Sequence, residues 1–310
     1  MNDNEQKPQL LRKPLLEGKH PAIQLVYMVL LTFGCGIVIT LFGWILSFAI
    51  WGPAAEGFTP TADYYRFLQV FNAIGMFLVP ALLFSFFQQK RWFSYNCADR
   101  LPRSVPAVLY VIIAAMLILP LAGVLVELGK LMTWPSFMSG IEEWMHEKQA
   151  ASDHILELMT ADTHVSTLLL NLLVCALLPA VCEEFFFRGS LQQVLLRWSK
   201  NTHVAIWLTG FIFSAIHFQI DGFVARWLLG AYLGYLLVWS GSLWLPILAH
   251  FLHNALSILI AHILLVNNTA TEEHLTLSSI LFASISLLFL IFFIYLIYKS
   301  LHKKQSITTE

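Results

Sequence analysis

The chain is poor in charge. Only 12% of its 310 residues are Asp, Glu, Lys or Arg, against about 25% in an ordinary soluble domain. That scarcity excludes a water-covered surface of the usual kind. No basic excess exists either: the formal net charge is -1, so no nucleic-acid partner is expected. The four cysteines, Cys35, Cys97, Cys175 and Cys182, show no Cys-x-x-Cys spacing, which excludes a disulfide framework and a cysteine-based metal site. They read as small buried hydrophobes. No period of 20–50 residues recurs, and no stretch is of low complexity.

Apolar length is what the sequence has instead. Hydrophobic residues make up 58% of the chain and the mean hydropathy is +0.70. Apolar runs lie at about 22–50, 67–87, 105–126, 165–187, 204–218, 223–239, 243–266 and 278–298, and most reach the ~20 residues that cross a bilayer. Lipid offers backbone polar groups no water, so each run is expected to be helical. The expected fold is an all-α, polytopic membrane bundle of about eight transmembrane helices. Trp44, Trp51, Trp92, Trp198, Trp239 and Trp244 lie near run ends, as interface anchors do.

Sidedness follows from lysine and arginine. Lys7, Arg12, Lys13 and Lys19 precede the first run, and Lys90, Arg91, Arg100 and Arg103 follow the second. Arg188, Arg197 and Lys200 follow the fourth, and Lys299, Lys303 and Lys304 the last. The alternate connections are acidic: Glu56 and Asp63, then Glu142 to Asp162, then Glu272 and Glu273. The positive-inside rule therefore puts both termini in the cytoplasm of a multi-pass cell-membrane protein. The first twenty residues are polar and lack the short apolar core of a signal peptide. This reading divides the chain into a cytoplasmic segment 1–21, a transmembrane domain 22–298 and a cytoplasmic tail 299–310. In the long outer connection, Ile141 to Met159 is acidic and amphipathic, and reads as a solvated helix lying over the bundle.

Ionisable groups within spans mark functional candidates. Glu183, Glu184, Arg188, His217, His250, His253, Asn254 and His262 form that set. Glu184 and Arg188 stand i,i+4 with the acid N-terminal, the favourable order for an ion pair. Glu183 points about 100° away and finds no partner in its own helix. Two carboxylates so placed can differ in role, one neutralised by the arginine and its neighbour kept for proton transfer; the alternative is a cytoplasmic cap in which all three charges are solvated. His250 and Asn254 share a face at i,i+4, and Phe213 lies one turn before His217. His253 and His262 lack a diagnostic spacing and read as structural.

Glu-Glu-x-x-x-Arg at 183–188, Phe-x-x-x-His at 213–217 and His-x-x-x-Asn at 250–254 together resemble the signature of the CPBP family, which comprises CAAX proteases and bacteriocin-processing or immunity proteins. The resemblance covers a core of about 165–258. It implies about eight spans and an endopeptidase that cuts a membrane-associated protein or peptide substrate within or beside the lipid bilayer. Carried over by position, Glu183 is the base that activates water, with His217 assisting. His250 and Asn254 bind the oxyanion, and Glu184 with Arg188 supports the site. Two histidines and a carboxylate could also complete a catalytic zinc, through His217 and His250. We favour the metal-free form, because two histidines and one glutamate leave no spare carboxylate to act as base beside a zinc. The rival class is a proton-coupled transporter or immunity protein using the same groups without cleavage.

Other protease signatures fail. His146-Glu147-Lys148-Gln149-Ala150 ends in Ala where a zincin needs His, Val238-Trp239-Ser240-Gly241 lacks the first Gly of a rhomboid motif, and Asp221 is the only Asp near a span. Depth poses one difficulty. If the fourth helix stopped near Phe187, Glu183 would lie ~6 Å from the cytoplasmic edge, His250 ~10 Å and His217 ~20 Å. Three groups at those depths cannot share a water. The apolar stripe Leu191, Val194, Leu195 and Trp198 therefore predicts a fourth helix that continues past Arg188.

Overall fold

A computed structural model describes residues 14–52, 59–89, 91–132, 135–268 and 275–302. The expected end segments therefore lie partly outside the described residues. So do Lys7, Arg12, Lys13, Glu56, Lys90, Glu272, Glu273, Lys303 and Lys304 of the charge pattern.

Among the described residues the fold is entirely helical. Seven helices are long and apolar enough to cross a membrane: α1 (Pro21–Trp51), α2 (Ala62–Gln88), α3 (Val105–Lys130), α5 (Val165–Ser199), α7 (Phe223–Ser240), α8 (Trp244–Val266) and α9 (Leu277–His302). Beside short turns of helix at Trp92–Tyr95 and Ser136–Met138, two other helices matter here, the amphipathic α4 (Ser139–Thr160) and the short α6 (Thr202–Ala215). The chain is an all-α, multi-pass membrane bundle.

The expected fifth span is the exception. The run 204–218 yields only the 14 residues of α6, ~21 Å at 1.5 Å per residue, well short of a hydrocarbon core of ~30 Å. Asn201 starts it by accepting from the amides of His203 and Val204. A turn through Phe218, whose φ is +51°, ends it and leads into α7.

The fourth helix does continue, to Ser199. Counted from the Lys200 turn at 1.5 Å per residue, Glu183 and His217 both lie ~22–24 Å along their helices. The depth conflict between these two disappears, and the hydrogen bond from His250 to Glu184 at 2.9 Å brings the third group level with them.

Three wide turns in which N–H bonds to C=O five residues back interrupt these helices. Val79 N–H reaches Ile74 O, and Leu178 N–H reaches Leu173 O. Each is followed at once by a proline, Pro80 or Pro179, which has no N–H for the carbonyl four residues back. The third, Phe187–Leu191, carries Arg188 itself. Such turns are frequent at functional sites.

Of three buried apolar clusters among the described residues, two tie most of the helices together. One gathers Val111, Leu233, Leu236, Leu245 and Ile297 from α3, α7, α8 and α9. The other gathers Met28, Phe84, Phe187, Val194 and Phe213 from α1, α2, α5 and α6. The α6–α7 pair is clamped where Gly210 faces Gly230. A Cβ on Gly210 would stand 2.9 Å from Ala231 N, and one on Gly230 would stand 2.8 Å from the Gly210 Cα. Gly230 and Gly234 thus pack within the bundle. Gly210→Val should lower the unfolding temperature of the detergent-solubilised protein, by overpacking worth about 1–3 kcal/mol, whereas Gly34→Val, whose Cβ meets nothing within 4 Å, should change it little.

Candidate active site

The site is built around a carboxylate with no solvent contact. Glu184 Oε1 accepts from Arg188 Nη1 at 2.7 Å and from His250 Nδ1 at 2.9 Å, and the side chains of Glu184 and Arg188 are wholly buried. Arg188 also donates Nη2 to the Gly230 carbonyl at 2.9 Å. One ion pair therefore joins α5 to α8 and, through a backbone oxygen, to α7. Arg188 further lies 4.8 Å over the Phe213 ring, a cation–π contact strengthened by dryness.

Phe213 is the hub between the histidines. Its ring stands edge-on to His217 at 5.1 Å and to His250 at 5.8 Å, and against Phe187 at 5.1 Å. His217 Nδ1 bonds the Phe213 carbonyl at 2.7 Å. A carbonyl can only accept, so Nδ1 carries the proton and Nε2 is left as an acceptor. The same argument fixes His250, whose Nδ1 donates to the Glu184 carboxylate.

His250 Nε2 then faces Glu183 Oε2 at 3.9 Å. Two acceptors at this separation suit a bridging water that donates to both. Glu183 keeps 13% of its side chain exposed, in contrast to its buried neighbour. Beside this wall, an apolar cavity of about 620 Å³ is lined by Phe77, Phe186, Phe187, Ile212, Ile216 and Phe218, among others.

The sequence reading paired Glu184 with Arg188 and gave His250 to an oxyanion. The first pairing is present, but His250 binds Glu184 more closely than anything else. With Nδ1 so engaged, His250 can donate to an oxyanion only from a protonated Nε2. Asn254 is half-buried one turn beyond and makes no hydrogen bond to the described residues. His253 is half-buried too, and its Nδ1 has no partner among them. The Gly230 carbonyl was not foreseen, because a backbone acceptor leaves no trace in residue type.

Among the described residues no three His, Cys, Asp or Glu side chains form a metal-holding group.

Residues 165–256 match the family model for type II CAAX prenyl endopeptidase, Rce1-like. This Rce1-like segment runs from the start of α5 into α8, and nearly coincides with the core that the three motifs delimit. All the residues of the three motifs, from Glu183 to Asn254, fall inside it. A curated relative, the uncharacterized protein YpbD of Bacillus subtilis (strain 168), is 34% identical over 27% of this chain. The chain spans only 42% of that relative's length. No solved structure matches.

The Rce1-like segment stands or falls with its buried pair. Arg188→Ala should strand Glu184 and cost about 3–5 kcal/mol, read as lost folded yield and a lower unfolding temperature. Arg188→Lys should also destabilise, since one ammonium cannot reproduce the fork between Glu184 and the Gly230 carbonyl.

Proposed function

We propose that the chain is an intramembrane endopeptidase in which Glu183 is the general base. The Rce1-like match supports a CAAX-type membrane protease in general. What carries the finer reading is the contrast between two adjacent glutamates: Glu184 is consumed by Arg188 and His250, while Glu183 faces only a histidine acceptor.

Glu183 takes a proton from the water between itself and His250 Nε2. The oxygen then adds to the carbonyl carbon of the scissile peptide, and the carbonyl π pair moves onto oxygen. The Asn254 amide donates to that oxyanion. When the C–N bond breaks, the electron pair leaves on nitrogen, which takes the proton back from Glu183. The products are a carboxylic acid and an amine. Glu184 and Arg188 do not touch the substrate and keep His250 in its tautomer. Apolar residues flanking the cut would rest in the adjoining cavity.

Although short, α6 still carries the chain from the Lys200 turn back across to the start of α7, so with the seven long helices the passes number eight, and the charge asymmetry then supports cytoplasmic placement of both termini in the cell membrane. A reporter active only in the cytoplasm, fused after Glu310, should be active. Inactivity there would reverse the orientation.

Glu183→Gln preserves shape and removes the base. It should lower hydrolysis by about 10²–10⁴-fold with unchanged folded yield. The readout is a peptide that accumulates uncut in membranes carrying Glu183→Gln but not in those carrying wild type. Identical membrane peptide profiles would refute the base, and transport that tracks Glu183 without any cleaved product would favour a carrier.

A further inference from the structure

The turn that follows His217 is held from outside the Rce1-like segment's own helices. Asp221 in that turn is buried, at 7% exposure. Its Oδ2 accepts from Gln149 Nε2 of α4 at 2.7 Å. Trp144, also on α4, stands edge-on to Phe218 at 5.2 Å. Arg226 of α7 donates to the Gln219 carbonyl at 2.9 Å, and Gly129 of α3 is so close to the Asp221 carbonyl that a methyl group there would overlap it. At its far end α4 is moored separately: the Met159 carbonyl accepts from Arg66 and from Asn171 Nδ2.

The backbone at this turn needs such support. Phe218 is a bulky residue at φ +51°, a conformation that persists only where its surroundings impose it. We infer that α4 is a strap, and that Gln149, Trp144 and Asp221 are positioning residues that hold the 217–222 turn and thereby fix the His217 ring against Phe213. The inference rests on His217 belonging to the proposed site, but the strap can be tested without any catalytic assay.

Titration gives the strap a signature. Asp153 sits at the exposed rim of the cluster and faces Asp221 on the turn, Arg226 on α7 and Lys130 on α3, which is itself paired with Glu127. Partial burial pushes its carboxyl up from the ordinary value, with Asp221 adding to the rise and Gln149, Arg226 and Lys130 opposing it. A carboxyl whose value is raised in the strapped state binds its proton more tightly there. Protonation therefore favours the strap, and the strap weakens as pH rises through the Asp153 titration. Asp221 Oδ1 and Gln149 Oε1 are buried and have no hydrogen-bond partner among the described residues.

The test is amide hydrogen exchange, resolved by peptide, on the full chain in lipid nanodiscs. Gln149→Ala should speed exchange across 217–223 by about tenfold, the loss of one hydrogen bond to a charged group, and leave 192–199 of α5 unchanged. It should also raise the rate at which diethyl pyrocarbonate labels His217. After correction for intrinsic rates, wild-type exchange across 217–223 should quicken as pH is raised from the ordinary carboxylate range upward through the Asp153 titration, and Asp153→Asn should abolish that response. If Gln149→Ala does not fold, Trp144→Ala loosens the same turn and should show the same pattern. Unchanged protection of 217–223, or loosened exchange with unaltered His217 labelling, overturns the positioning role. An Asp153→Asn protein that keeps the wild-type pH response overturns its titration.

Discussion

A buried carboxylate that is shared between an arginine and a histidine organises this membrane domain. Glu184 is inaccessible to water and lipid offers no compensation, so it requires both partners at once. Its requirement fixes the relative placement of α5 and α8. Arg188 adds α7 through the Gly230 carbonyl, and the glycine clamp between α6 and α7 brings His217 into the same frame. The exposed part of the chemistry, Glu183, is then presented by a scaffold whose own charges are paired with one another.

The wide turns are the local means to this end. Each inserts one extra residue into a helical turn, which rotates the faces on either side relative to one another. Two of them bracket Glu183 and Glu184, at Leu172–Leu177 and Phe187–Leu191. Upstream of the pair, α5 presents Asn171 to Arg66 at 2.8 Å. Downstream it presents Leu191, Val194 and Leu195 to the core shared with α1 and α2. A regular helix of this sequence would not point all three groups where they are needed.

Contacts within a helix were legible in the sequence, and contacts between helices were not. The Glu184–Arg188 pair follows from a four-residue spacing alone, as does the step from Phe213 to His217. The His250–Glu184 bond joins residues 66 apart, and no spacing rule reaches across two helices and their turns. Seven spans could be read from apolar length, while α6 could not be separated from them, because the run 204–218 continues into a turn that is itself apolar. The continuation of α5 past Arg188 was visible in its leucine and valine stripe. The amphipathic α4 was legible as a surface helix, but its moorings depend on Gln149 and Trp144, residue types that carry no positional message by themselves.

The shortness of α6 also acts on the lipid. One flank of this helix, Val204, Trp207, Leu208 and Phe211, is exposed, so acyl chains meet an apolar wall only ~21 Å tall. Beyond it they meet the Phe218 turn and the amphipathic α4. Hydrophobic mismatch of about 9 Å is relieved by local thinning or by headgroups settling toward the short side, at fractions of a kcal/mol per Å. A helix of this length favours a thinner bilayer along the face that leads to the His217 turn, and membranes of smaller hydrocarbon thickness accommodate it at lower cost.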